Sequence, residues 1–132
     1  MRGSPERQIT TLWRLSGVDK IGTSKHNAKT DSRASGARSA HDVAKGVGIH
    51  SFNTKDNYTS RWRAALEHAG ETAGVKDVCR LNPEHAAAYL RELAETGPKW
   101  STFTAAASAV EKLAVALNEW SATHGKTERY DF

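Results

Sequence analysis

The chain has 132 residues, 38 % of them apolar, which allows one domain with a modest core and leaves part of the chain too polar to pack tightly. A single cysteine, Cys79, excludes an internal disulfide, no apolar run approaches the roughly 18 residues of a membrane span, and the polar start MRGSPERQ has no secretory core, so a soluble cytoplasmic protein without a membrane partner is expected. The net charge of +4 is uneven, with nine Lys/Arg against four acids over residues 1–53 and ten against eleven over residues 54–132. A basic half beside a near-neutral half favours a polyanionic partner, with an ordinary solvated surface as the alternative.

In chain order, Ile9–Leu15 (ITTLWRL) reads as one or two helical turns or a short strand, ended by Gly17. Residues 22–48 are rich in Ser, Gly, Ala, Lys and Arg. Thr23–Arg33 and Ser39–Gly46 are candidate short helices, too poor in apolar surface to fold alone. Thr54 reads as the N-cap of a helix whose face is Tyr58, Trp62, Ala65, Leu66, Ala69 and Ala73, ended by Gly74. In the link VKDVCR, Val75 and Val78, followed by Leu81, should tuck under the helices. Asn82 is a good cap and Pro83 sits where its missing N–H costs nothing. Ala86, Ala87, Leu90, Leu93 and Ala94 form the next stripe, which Gly97 and Pro98 terminate. The last helix restarts at Lys99-Trp100-Ser101-Thr102. It carries Phe103, Ala106, Ala107, Val110, Leu113, Ala114, Leu117 and Trp120 until Gly125, before the polar tail KTERYDF.

The spacing thus predicts helices over 54–74, 82–96 and 101–122, packed around Trp62, Leu66, Leu90, Leu93, Val110, Leu113 and Leu117. The fold class is all-α: a small bundle with a basic, partly ordered N-terminal extension. The expected domains are a basic arm over 1–48, a helical domain over 49–124 and a polar tail over 125–132.

Motifs for chemistry are absent. Six histidines show no HExxH spacing, Cys79 has no CxxC partner, and no phosphate-cradling glycine loop or GxSxG occurs, so no metal, cofactor or catalytic residue is expected. Glu67/Glu71 and Glu92/Glu95 lie at helical spacing beside Arg63 and Arg91, which suits solvated ion pairs better than acid–base work. Ser101, Thr102 and Thr104 open a helix, where N–H groups and the dipole favour an anion; plain capping is the simpler reading. Trp100 either closes the bundle or lies beside a phosphate.

A tyrosine-aromatic helix, a short link, a helix of the form LNPEHAAAYLREL, a glycine turn, a Ser-Thr start and the helix AAASAVEKLAVAL together resemble the core-binding, SAM-like N-terminal domain of tyrosine recombinases and phage-type integrases. IHSFNTKDNYTSRW is similar to the entry into that domain's first helix, and IGTSKHNAK to the leader before it in some integrases. The resemblance spans about residues 49–122. It implies a helical clamp on one face of duplex DNA at a recombination site. It also implies a catalytic domain of the same parent chain and other recombinase protomers as partners, and a bacterial, nucleoid-associated setting. The family's arginine, histidine and tyrosine nucleophile set is missing. Tyr130 has no HxxR before it, so the chain by itself should not cut DNA.

Ser101 and Thr102 match the family's Ser-Thr at the start of its last long helix. Lys55, Arg61 and Lys99 are candidate DNA contacts at helix ends or polar faces, and Lys25, Lys29, Arg33 and Arg38 are the arm's candidates. Phosphate contacts would supply most of the affinity. Two competing readings are a helical protein-interaction module, with Trp100 and Trp120 as anchors, and a free-standing accessory factor that occupies recombination sites.

Overall fold

The computed structural model describes residue 1, residues 3–17 and residues 52–132, with the backbone alone for 52 and 53. The candidate helices Thr23–Arg33 and Ser39–Gly46 lie outside the described residues. Among those described, the chain is a small all-α bundle with no strand.

The first helix, α1 (Pro5–Ser16), is longer than ITTLWRL suggests. The Ser4 side chain accepts from the Arg7 N–H, Pro5 takes the first helical position, and Gly17 closes the helix at φ 74°. Gln8, Ile9, Leu12, Trp13 and Ser16 form its buried face. Two of these five are polar, so the apolar period looks shorter than the helix. Residues 5–16, at the start of the 1–48 segment, therefore belong to the bundle.

α2 (Phe52–Ala73) reaches back beyond Thr54, which lies inside the first turn rather than capping it. Threonine costs a helix only a few tenths of a kcal/mol there. Trp62, Ala65, Leu66 and Ala69 are buried as expected, Tyr58 is half-buried and Ala73 is exposed. Gly74 ends the helix at φ 70°. α1 runs antiparallel to α2: the Trp13 indole donates to Thr59 Oγ1 at 2.8 Å, while Glu6 lies 3.8 Å from Arg63. Trp13 and Trp62 stack with centroids 4.4 Å apart, making an aromatic seam between the two helices.

A single 3-10 turn, Val78–Arg80, follows. Its anchor is the buried Gln8, whose amide donates to Gly3 O at 3.0 Å and Lys76 O at 2.6 Å and accepts from the Val78 N–H at 2.8 Å. Every polar atom of that side chain is satisfied, which is what makes its burial affordable. Asp77 accepts from the Cys79 N–H and from the Met1 amine.

α3 (Pro83–Glu95) opens on a reciprocal cap, with Asn82 accepting from the His85 N–H and His85 Nδ1 accepting from the Asn82 N–H. The buried face is rotated from the expected stripe. Ala86 and Tyr89 are buried, Leu90 and Leu93 only half-buried, and Ala87 and Ala94 exposed. Tyr89 replaces the leucines because its ring packs with Ala65, Ala86 and Val110 while Arg61 reaches its hydroxyl.

α4 (Trp100–Thr123) is the longest of the described helices and the spine of the core. Val110, Leu113 and Leu117 are fully buried, with Ala106, Ala109, Ala114 and Ala116 around them. The small residues let neighbours approach the helix backbone: Trp62 Nε1 donates to Ala109 O at 2.6 Å inside the core. After Gly125 the tail folds back instead of trailing off. Tyr130 is buried, its hydroxyl donates to Cys79 O at 2.8 Å, and the Asn118 amide makes two bonds to its backbone. No described helix is long and apolar enough to cross a membrane.

Candidate nucleic-acid interface

The candidate contacts fall in separate places on the bundle. Lys99, Ser101 and Thr102 share the opening turn of α4. Lys99 occupies the N-cap position in an extended conformation, and no side chain accepts from the N–H groups of this turn. Simple capping by Ser101 or Thr102 is therefore not what the structure shows. Lys99 and Ser101 are exposed, Thr102 is half-buried, and the Thr104 hydroxyl turns back to the carbonyls of Trp100 and Ser101. The helix start leaves donors and the positive dipole end open to water. Trp100 stands over it, 78 % exposed and stacked at 6.3 Å on Phe103, so it does not close the bundle.

Lys55 lies elsewhere, on the α1–α2 seam. Its ammonium sits 5.6 Å from the centre of the Trp13 ring, a cation–π contact that fixes the side chain beside the end of α1. Arg61 is six residues further along α2, about 240° around the helix at 100° per residue, and so faces α3 instead. There it reaches the Tyr89 hydroxyl at 3.5 Å, next to His68, which pairs with Glu92. The His68 Nδ1 in this cluster is buried with no hydrogen-bond partner. The expected Arg63–Glu67 ion pair forms at 2.9 Å, whereas Glu92 turns to His68 rather than to Arg91. Lys25, Lys29, Arg33 and Arg38 lie outside the described residues.

Other polar features serve structure. The tail and the last turns of α4 enclose an open cleft of about 320 Å³ lined by Asn118, Ser121, Lys126, Glu128 and Arg129, among others. Two of its lining side chains, Asn118 and Ser121, are spent on holding the tail backbone. Burial pushes the Tyr130 hydroxyl up to about 12, with Cys79, Glu128 and Asp77 adding to the effect, and it pushes the Cys79 thiol up to about 11. Both shifts run opposite to the activation of a nucleophile. Among the described residues, no three His, Cys, Asp or Glu side chains are grouped to hold a metal ion.

Sequence reasoning missed the outer face of α1. Arg7 and Arg14 are both exposed on a helix that packs into the core, and neither has an acidic partner among the described residues. The signal was available in Ser4-Pro5 followed by Ile9, Leu12 and Trp13 at helical spacing.

Searches across protein-family models, curated proteins and solved structures find no match to the chain.

Proposed function

We propose that this chain binds duplex DNA as the core-binding domain of a tyrosine site-specific recombinase, clamping the duplex at a recombination site in the bacterial nucleoid. The observation that carries the reading is charge segregation: a surplus of five positive charges over residues 1–53 beside a deficit of one over residues 54–132. Duplex DNA presents about one negative charge per 1.7 Å, and neutralising its phosphates releases counterions. The all-α bundle and the open start of α4 suit a helical clamp of the SAM-like kind, with Lys99, Ser101 and Thr102 at the backbone. Strand cleavage belongs on this reading to a catalytic domain of the parent chain and to partner protomers. The chain alone binds without forming a covalent bond to DNA.

Anisotropy titration against a labelled random duplex at several salt concentrations tests this directly. With about five phosphates neutralised, log K should fall with log salt at a slope of about −4.5. A nicked suicide duplex should leave no covalent adduct; an adduct through Tyr130 would overturn the assignment of cleavage elsewhere. A second reading, a protein-interaction module, draws on Trp100, whose 78 % exposure is unusual for a residue often found at the centre of interfaces. It requires negligible affinity for any duplex even at low salt. A free-standing accessory factor would bind in the same way, and differs only in having no catalytic domain in its reading frame.

A further inference from the structure

We infer that the outward ridge of α1, Arg7–Thr11–Arg14, is a phosphate-contacting surface for duplex DNA, borne by the bundle itself. The inference rests on the DNA reading and adds a specific helix face to it. α1 buries Gln8, Ile9, Leu12, Trp13 and Ser16. At 100° per residue, those five side chains centre on one direction, and Arg7 and Arg14 both point almost directly opposite, about 20° apart and about 10.5 Å along the axis. Thr10 and Thr11 lie between them. Their hydroxyls donate to Glu6 O and Arg7 O, which leaves their oxygens outward as acceptors but spends their protons, so the ridge's charge comes from the arginines.

Three features separate this ridge from an ordinary solvated face. First, it is acid-free at its centre: the one acid of α1, Glu6, sits at its edge and lies 3.8 Å from Arg63 of α2. Second, the ridge is held rigidly. Trp13 is stacked on Trp62 and bonded to Thr59, and Gln8 ties the start of the helix to Lys76 and Val78, so α1 cannot roll. Third, the Arg7 stem runs close to the start of the chain. Its stem lies over Gly3, at φ 106°, where a Cβ would stand only 2.8 Å from Arg7 Cδ. Arginine forks match phosphate oxygens, and a rigid pair one heptad apart can engage two phosphates of one duplex.

The test compares the full chain with Arg7→Gln/Arg14→Gln on a random duplex across a salt series, with Arg7→Lys/Arg14→Lys and Arg63→Gln beside it. Glutamine keeps helix propensity close to that of arginine, so α1 should persist, and circular dichroism checks it. The Gln pair should make the log K–log salt slope shallower by about 1.8, at about 0.9 per phosphate. The Lys pair should retain the wild-type slope, because counterion release needs charge rather than the fork. Arg63→Gln, which removes a residue already paired with Glu67, should leave the slope unchanged. If the wild-type chain binds and the Gln pair shows the same slope, the ridge is merely solvated and the inference falls while the DNA reading stands. If the wild-type chain does not bind the duplex at low salt, both fall.

Discussion

The two ends of α4 are built in opposite ways. At the C-terminal end three polar side chains tie the tail down: Asn118 holds the Tyr130 backbone twice, Ser121 donates to Glu128 O, and the Tyr130 hydroxyl reaches across to Cys79 O. At the N-terminal end Lys99 provides no cap, Ser101 is exposed, and Trp100 stands in solvent. Uncapped helix starts cost stability, about 1 kcal/mol against a good cap, and Ser4 and Asn82 show that this chain can supply one. One end is therefore organised for folding, and the other leaves its donors, dipole and aromatic surface available to a partner.

The largest expected effect lies between those ends. Leu113 is 1 % exposed in the middle of the spine, so Leu113→Ala should cost about 2–5 kcal/mol in urea unfolding. A cost below 1 kcal/mol would mean that the packing of α4 against α1 and α2 has been misread.

At the committed end, Tyr130→Phe and Asn118→Ala should each lower stability by about 1 kcal/mol, the ordinary worth of a hydrogen bond, and somewhat more if a buried partner is left unmet. The same end sets an alkaline limit. Tyr130 and Cys79 are both raised by burial, to about 12 and about 11, from 10.0 and 9.0. Folding therefore favours their protonated forms. That contribution is fully present below the unfolded values and is lost as pH rises through the folded ones, over roughly pH 9 to 12. Tyr130→Phe should flatten the upper part of this alkaline limb, as read by denaturation midpoints against pH. Asp77 gives the opposite limb. Burial pushes its carboxyl up, but bonds from the Met1 amine and the Cys79 N–H outweigh this and hold it below 3.8. Its contribution is present above the ordinary aspartate value and is lost as pH falls through the lowered one, so Asp77→Asn should blunt the acid limb.

The open end should respond least. Trp100→Ala, Ser101→Ala and Thr102→Ala should each change stability by no more than about 0.5 kcal/mol. Ser101→Ala/Thr102→Ala should weaken duplex binding by about 1 kcal/mol. A loss of several kcal/mol of stability from Trp100→Ala would make the two ends alike and remove the contrast.

Much of this contrast was written in local signals. Asn82-Pro83, Gly74, Gly97 and Gly125 mark helix ends because caps and left-handed glycines act over one turn, and the stripe Val110–Leu113–Leu117 reads directly as core. Longer-range features were hidden. Tyr130 and Phe132 sit at the end of a polar heptapeptide, too short a pattern to reveal that Asn118 and Cys79 would receive the tyrosine. Tyr89 displaces Leu90 and Leu93 because Arg61, on another helix, satisfies its hydroxyl. Gln8 and Ser16 disguise α1, since burial of a polar side chain depends on partners distant in sequence. For the candidate interface, Lys99, Ser101 and Thr102 were legible as one turn. Lys55 and Arg61 were not legible as belonging to different seams, because a wheel gives relative angle but not which neighbour covers it.

On the DNA reading, the basic half of the chain meets the phosphates of the duplex. Ile9, Leu12 and Trp13 are part of the core, so a truncation at residue 48 would unfold what it is meant to probe. Neutralising Lys25, Lys29, Arg33 and Arg38 to Gln within the full chain avoids this. The decisive measurement is the salt dependence of random-duplex binding for that variant against the wild type. The account predicts a wild-type slope of about −4.5, a clearly shallower slope for the variant, and a similar loss of affinity on all sequences. Equal slopes, or no wild-type binding at low salt, would contradict it.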